Sequence, residues 1–151
     1  MFEELVGLSD KTLGKGYLTE RDFHNYYKDN NYWIVCARNE KEQLIGFVIF
    51  GIEDRVGIIK TLAVDDHYQD KGIGKKLFVE AFNILRQQVK EVITIIDSKS
   101  KSANIAKEKD EFFFVKEIKN YWYQLSVERN LQCFHCGNPC NCSAYIYKLS
   151  T

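Results

Sequence analysis

A single proline and a single methionine occur in 151 residues, and net charge is absent, because 21 basic side chains are matched by 21 acidic ones. Without a field of one sign across the molecule, nothing draws in a polyanion, so neither nucleic acid nor an anionic membrane is expected as a partner. No apolar run approaches the length that spans a bilayer, and the opening Met1-Phe2-Glu3-Glu4-Leu5-Val6 is acidic where a signal peptide would be basic and then apolar. A cytoplasmic location is therefore expected, where the five cysteines stay reduced and need a reason other than a disulfide framework. Internal repeats and low-complexity linkers are also missing, and the length suits one domain, 1–151. Hydrophobic residues at 45% and aromatics at 14% are enough to build a core, which places the chain among globular proteins.

The first thirty residues read as helical, with Thr19-Glu20-Arg21-Asp22 supplying a cap and an acidic first turn. Tyr32 to Arg38 and Gln43 to Gly51 are rich in aromatic and β-branched residues and flank a polar turn, which predicts a hairpin. After the turn Glu53-Asp54-Arg55, the strand Val56 to Val64 is apolar on both faces and belongs in the middle of a sheet. From Gly72 to Val89 the apolar residues recur at spacings of three and four, the mark of a helix buried along a broad stripe. Val92 to Ile96 is a short buried strand, so the order strand, helix, strand predicts a right-handed crossover between parallel strands. The polar stretch 97–110 predicts a short helix, Phe112 to Tyr123 a long strand, and Ser143 to Leu149 a last one.

Between the central strand and the long helix lies Asp65-Asp66-His67-Tyr68-Gln69-Asp70-Lys71-Gly72-Ile73-Gly74-Lys75-Lys76. Such a turn points unpaired backbone N–H groups outward at the positive end of a helix, which suits a phosphate. A dinucleotide fingerprint would need glycine at position 77, which is leucine. A Walker A loop would need glycine at 69 and Ser or Thr at 76, which are glutamine and lysine. A third pattern does fit: Gln/Arg-x-x-Gly-x-Gly/Ala following a strand that ends Leu-x-Val. Leu62-Ala63-Val64 followed by Gln69-Asp70-Lys71-Gly72-Ile73-Gly74 closely resembles this acetyl-CoA signature of the GNAT family of N-acetyltransferases.

That resemblance spans roughly residues 17 to 125 by element order, with the specific motif confined to 56–90. It implies an α/β (α+β) fold with a mixed, mostly antiparallel central sheet, one parallel crossover and flanking helices. It also implies acetyl-CoA as cosubstrate, with the backbone of Leu62, Ala63 and Val64 receiving the pantetheine arm. Gln69, Asp70, Lys71, Gly72, Ile73, Gly74 and Lys75 would cradle the pyrophosphate, and Asn104 would hydrogen-bond the CoA arm, although a helix cap is an equal reading of that residue. The implied reaction is direct attack of a primary amine, from a small molecule or a protein, on the thioester.

Direct transfer needs a base for the ammonium and an acid for the leaving thiolate. Some members of the family carry a glutamate within the central strand, but Val56 to Val64 contains no acid. Glu53, Asp54 and Asp97, at strand ends flanking the expected cleft, are the remaining candidates for the base. The family's thiolate acid is a tyrosine within Asn-x-x-Ala-x-x-x-Tyr-x-Lys-x-Gly-Phe, yet residues 97–120 contain neither tyrosine nor glycine. Tyr121 and Tyr123 are the nearest substitutes.

Cys133-Phe134-His135-Cys136-Gly137-Asn138-Pro139-Cys140-Asn141-Cys142 places four cysteines within ten residues. Cys-x-x-Cys-Gly is the knuckle form that wraps a tetrahedral metal, with zinc the natural ion. Cys133, Cys136, Cys140 and Cys142 are the candidate ligands, with His135 or a partner chain able to replace one of them. A metal-free loop packed between the last strands fits the sequence as well. Cys36, alone in a strand, reads as a small core residue. The second functional reading is a non-catalytic CoA-binding or zinc-dependent interaction module, and monomer and homodimer both remain open.

Overall fold

The computed structural model describes residues 2–102 and 111–150. The chain runs α1 (Glu3–Thr12), β1 (Gly14–Lys15), α2 (Glu20–Lys28), β2 (Tyr32–Arg38), β3 (Leu44–Glu53), β4 (Val56–Val64), α3 (Ile73–Arg86), β5 (Glu91–Asp97), β6 (Phe112–Ile118), α4 (Tyr123–Arg129), β7 (Gln132–Cys133) and β8 (Ala144–Leu149). Six strands form one sheet in the order β2-β3-β4-β5-β8-β6, and β1 pairs with β7 in a separate ribbon. Every pairing in the large sheet is antiparallel except β4 with β5, as the crossover through α3 requires. The mixed, mostly antiparallel sheet expected from the sequence is therefore present. No helix among the described residues is long and apolar enough to cross a membrane.

Helices cover both faces of the sheet. On one face, α3 buries Leu77, Ala81 and Leu85 at four-residue intervals against Val48, Phe50, Ile59, Val92 and Leu149. On the other, Phe2, Leu8, Leu18 and Phe23 from the α1–α2 region pack on Phe47, Ile49 and Ala63. A bulge in β4 sets which residues face which layer. Ile49 lies opposite Thr61 and Phe50 opposite Ile59, leaving Lys60 as an extra residue without a partner on β3. Before the bulge Ile59 packs under α3; after it Leu62 and Val64 take that face, and Ala63 turns to the α1–α2 layer.

Two expectations need correction. The strand predicted for Phe112 to Tyr123 ends at Ile118; Asn120 adopts a left-handed conformation (φ 54°), and a helix begins at Tyr123. The aromatic content of Tyr121-Trp122-Tyr123 favours a strand locally, but Trp122, Leu125 and Ser126 lie three and four apart and turn inward together as one helical face. Cys36 is exposed rather than a core residue, and lies on β2, the edge strand of the sheet. The helix expected within 97–110 falls largely on residues 103–110, outside the described residues, and Asn104 lies there too.

The ribbon β1–β7 ties the α1–α2 connection to the cysteine segment. At Gly14 (φ 132°) an added Cβ would sit 2.4 Å from the Gln132 carbonyl oxygen, so only glycine permits this approach. A second tie joins α2 to α4. Arg129 donates from both terminal nitrogens to the Asp22 carboxylate at 2.6 and 3.1 Å, and also to the Tyr17 carbonyl at 3.1 Å. Asp22 at the same time accepts from the Thr19 backbone in a capping box. Burial favours the neutral acid, but Arg129 and Thr19 outweigh it and hold the Asp22 carboxyl below its ordinary range. A depressed acid stabilises the fold above its unfolded-state pKa, about 3.9, and loses that contribution as pH falls through its folded value. Asp22→Asn is thus expected to cost about 1 kcal/mol at pH 7. In urea titrations the difference should shrink as pH falls below the unfolded-state value of about 3.9; a pH-independent difference would remove the charge from the explanation.

Candidate functional site

The parallel ladder between β4 and β5 covers only Val56 to Ile59 against Glu91 to Thr94. Beyond that point β4 continues to Val64 along β3, while β5 continues to Asp97 along β8, so the two strands part. At the last rung the buried Thr94 hydroxyl donates to the Ile59 carbonyl at 3.3 Å, a side chain taking over where backbone pairing stops. The parting coincides with the Lys60 bulge, which twists β4 away. The edge of β4 from Lys60 onward, on the side facing β5, thus has no strand partner among the described residues.

A cavity of about 610 Å³ fills the parting. Its walls include Lys60, Thr61 and Leu62 of β4, Ile95, Ile96 and Asp97 of β5, and Gly74, Lys75, Phe78 and Phe82 of α3. On the far side it is bordered by Leu13, Tyr17, Trp122, Leu131, Cys133, His135 and Cys140. The cleft therefore passes between the strands from the α3 face to the face carrying α1, α4 and the cysteine segment.

The loop leading into α3 is held by its own side chains. Asp65 caps a 3-10 turn (Asp66–Tyr68) by accepting from the His67 backbone at 2.9 Å, and is held from outside by Lys11 at 3.0 Å. The Gln69 amide folds back to donate to the Val64 carbonyl (3.2 Å) and to Asp66 (3.1 Å), and its own oxygen accepts from Lys101 at 3.3 Å. Gln69 therefore shapes the loop from within. Asp70 (φ 62°) and Gly72 (φ 82°) are left-handed, and Gly72 stands at the N-cap of α3 with no side-chain cap. The first turn of α3 holds no acid but two lysines, Lys75 and Lys76, the reverse of what a helix N-terminus favours on its own account. Uncapped N–H groups together with lysines form a place for an anion. Ile73 and Gly74 complete that first turn, the latter close enough that an added Cβ would meet Val64 at 3.5 Å.

Of the candidate acids, Asp97 lines the cavity, beside the Cys142 thiol. Glu53 and Asp54 do not line it. Glu53 hydrogen-bonds the Tyr32 hydroxyl and pairs with Lys60 at 3.1 Å, and Asp54 occupies the β3–β4 turn with φ 50°. Tyr121 and Tyr123 are exposed and lie outside the cavity lining.

Sequence reasoning passed over Lys60, Tyr17 and Trp122. Lys60 was visible as the lone charge in an apolar strand. Burial disfavours its charge, but Tyr26 and Glu53 prevail and hold its pKa above the ordinary lysine value; the Tyr26 and Tyr32 rings lie 5.8 and 5.5 Å from Nζ. Tyr17 follows the β1 ribbon and interacts with the side chains of Thr61 and Trp122; burial pushes its phenol pKa upward. No local pattern marks it, because its position depends on β7, far along the chain.

The four clustered thiols converge: their sulfur atoms all lie within 4.8 Å of one another, and His135 is left out, facing the cleft instead. Burial opposes a thiolate at Cys136, but the Asn141 backbone N–H and the neighbouring thiols outweigh it and bring its pKa to about 7. Burial pushes Cys140 up to about 12 and raises Cys142 as well, with Cys136 and Asp97 adding to the latter.

The sheet and its parallel crossover agree with comparisons to known proteins. The profile of the Acetyltransferase (GNAT) family matches residues 2–108, and the chain belongs to that family, whose members are acetyl-CoA-dependent acyltransferases. No curated protein sequence matches the chain. Among solved structures, it is similar to the ribosomal-protein-S18-alanine N-acetyltransferase from Escherichia coli, with TM-score 0.71 and 16% identity over 97% of this chain and 84% of that one. It is similar to the IAA acetyltransferase from Bacillus cereus ATCC 14579, with TM-score 0.72 and 19% identity over 96% and 91% of the two chains. It is also similar to a GNAT family acetyltransferase from Elizabethkingia anophelis with acetyl-CoA bound, with TM-score 0.68 and 15% identity over 96% and 89%. At these identities the likeness is one of fold.

Proposed function

We propose that the protein is an N-acetyltransferase that moves the acetyl group of acetyl-CoA to a primary amine by direct attack on the thioester. The observation that carries this reading is the parting of β4 from β5 beyond Ile59 and Thr94, next to the uncapped N-terminus of α3. The pyrophosphate would rest on the N–H groups of residues 72–75, with Lys71 and Lys75 beside it. The pantetheine would run along the free edge of β4 at Leu62, Ala63 and Val64, replacing the missing strand, and bring the thioester to the middle of the cleft. Strand N–H groups there would stabilise the oxyanion as the amine adds.

The amine enters from the opposite mouth, between Tyr17, Trp122, Leu131 and His135. Asp97 is the candidate acid that reaches the cleft, and it accepts the ammonium proton directly or through water. Tyr17 protonates the leaving thiolate: a phenol is neutral at pH 7 and can donate, and it lies beside Thr61 on the strand that carries the thioester. Tyr17→Phe is expected to lower kcat by up to about a hundredfold, at the low end of general-acid effects because a thiolate leaves readily, with KM for acetyl-CoA unchanged. Unchanged kcat would remove Tyr17 from the mechanism. The reading as a whole is tested by incubating the protein with acetyl-CoA and a panel of amines and peptides and measuring thiol release. Tight CoA binding with no turnover across the panel would favour a non-catalytic CoA-binding module instead.

A further inference from the structure

Cys133, Cys136, Cys140 and Cys142 are four free thiols whose sulfurs occupy one small volume: 3.8 Å separates Cys133 from Cys142, 3.5 Å Cys136 from Cys140, and 3.3 Å Cys136 from Cys142. These spacings are well beyond a disulfide bond, about 2.05 Å. They approach the edge of a tetrahedron of thiolates around zinc, roughly 3.8 Å for Zn–S bonds of about 2.3 Å. The backbone is folded for the purpose. Cys133 and Gly137 exchange hydrogen bonds in both directions, 3.0 Å from the Cys133 N–H and 2.9 Å from the Gly137 N–H, and Gly137 takes φ 78°, closing the first knuckle around two sulfurs. The Asn141 N–H points at the Cys136 sulfur at 3.3 Å, a donor suited to a thiolate. Cys140 and Cys142 are buried, yet neither belongs to the apolar clusters that hold the sheet and helices together. Packing alone does not account for four sulfurs at one point.

We propose that these four cysteines bind one Zn²⁺ in a closed tetrahedral site that braces the acceptor wall of the cleft. Binding forms four Zn–S bonds, and each thiol that was protonated releases its proton to solvent. With four protein ligands no position is left for substrate, so the ion's role is structural. Its reach into the cleft runs through covalent and hydrogen-bonded neighbours. Cys133 belongs to β7, whose pairing with Gly14 and Lys15 fixes the segment carrying Tyr17. The Cys140 N–H donates to the Ser126 hydroxyl at 2.9 Å, and Asn138 donates to the carbonyls of Ser126 and Leu131 at 2.9 and 2.7 Å, which fixes α4 and with it Trp122. Both cleft residues therefore hang from the cysteine segment, while the CoA loop at residues 69–75 does not. The bracing role rests on the acetyltransferase reading; the metal site does not.

Elemental analysis of the full chain, purified without chelator, tests the site, and zinc at a ratio near one per chain is the expected result. Cobalt added after removal of zinc should give the intense visible and near-ultraviolet bands of four-thiolate coordination. Cys136→Ser, at a partly exposed ligand, should bring the zinc ratio well below one half. A ratio near zero that stays there after dialysis against zinc chloride overturns the site, and iron in place of zinc overturns the identity of the ion. Hydrogen exchange then tests the brace. Removing zinc should speed amide exchange at residues 14–18 and 131–133 by about tenfold or more, with exchange at 73–76 unchanged. Equal exchange with and without zinc at 14–18 overturns the brace. Stoichiometric zinc in a protein that fails to turn over any amine leaves the metal site standing and removes only the acetyltransferase reading.

Discussion

Gly72→Glu is expected to weaken acetyl-CoA binding by about tenfold or more in a calorimetric titration. Gly72 is the N-cap of α3, and nothing lies within 4 Å of an added Cβ, so the fold itself has room for a side chain there. The loss arises from charge and conformation. A carboxylate at about 4 Å from a phosphate is opposed by roughly 1 kcal/mol in water-like surroundings and by roughly 4 kcal/mol at an effective dielectric constant of 20. The left-handed φ of 82° adds strain for any residue with a Cβ. Gly72→Asn separates the two contributions, because asparagine tolerates the left-handed region and carries no charge. The asparagine variant should retain most of the affinity. Equal, large losses in both variants would assign the effect to backbone strain rather than to a phosphate at this position.

The second large effect concerns the support of that loop. Leu85 is fully buried on α3 and packs with Ala81, Ile59 and Val92. Helix and sheet approach closely here, since an added Cβ on Gly57 of β4 would meet the Leu85 Cβ at 3.3 Å. Leu85→Ala leaves a cavity that neighbours on a rigid sheet cannot fill, and is expected to lower unfolding free energy by about 2–5 kcal/mol. Urea denaturation measures it as a fall in midpoint with little change in slope. Leu85 is more than two turns from the N-terminus of α3, so folded variant should still bind acetyl-CoA. A loss under about 1 kcal/mol would mean that α3 does not pack as described.

The parts legible in the sequence were those written in local periods. The α3 stripe, the apolar β4 and the glycine-bearing loop between them specify the crossover almost without reference to the rest of the chain. The parting of β4 from β5 was not legible in that way. It is the point at which a ladder stops, set by a one-residue bulge at Lys60 and by a threonine hydroxyl from the neighbouring strand, and neither leaves a pattern within a single segment. The strand expected through Tyr123 shows the opposite failure: strong local β-propensity in Tyr121-Trp122-Tyr123 yielded to the burial of Trp122, Leu125 and Ser126 on one helical face. The four cysteines from Cys133 to Cys142 were visible as a motif, whereas setting His135 apart from them required the fold. Tyr17 depends on a ribbon between residues more than a hundred apart, Gly14 with Cys133, and has no local signature.

The central claim is that acetyl-CoA lies in the parting of β4 and β5 with its pyrophosphate on the N-terminus of α3. Amide chemical shifts of the isotope-labelled protein, followed as acetyl-CoA is added, test it most directly. The largest changes should fall on the backbone amides of Leu62, Ala63 and Val64 and of Gly72 to Lys75, with those of β2 and the β3–β4 turn unmoved. Saturable binding that shifts a different set of amides, or none of these, would contradict it.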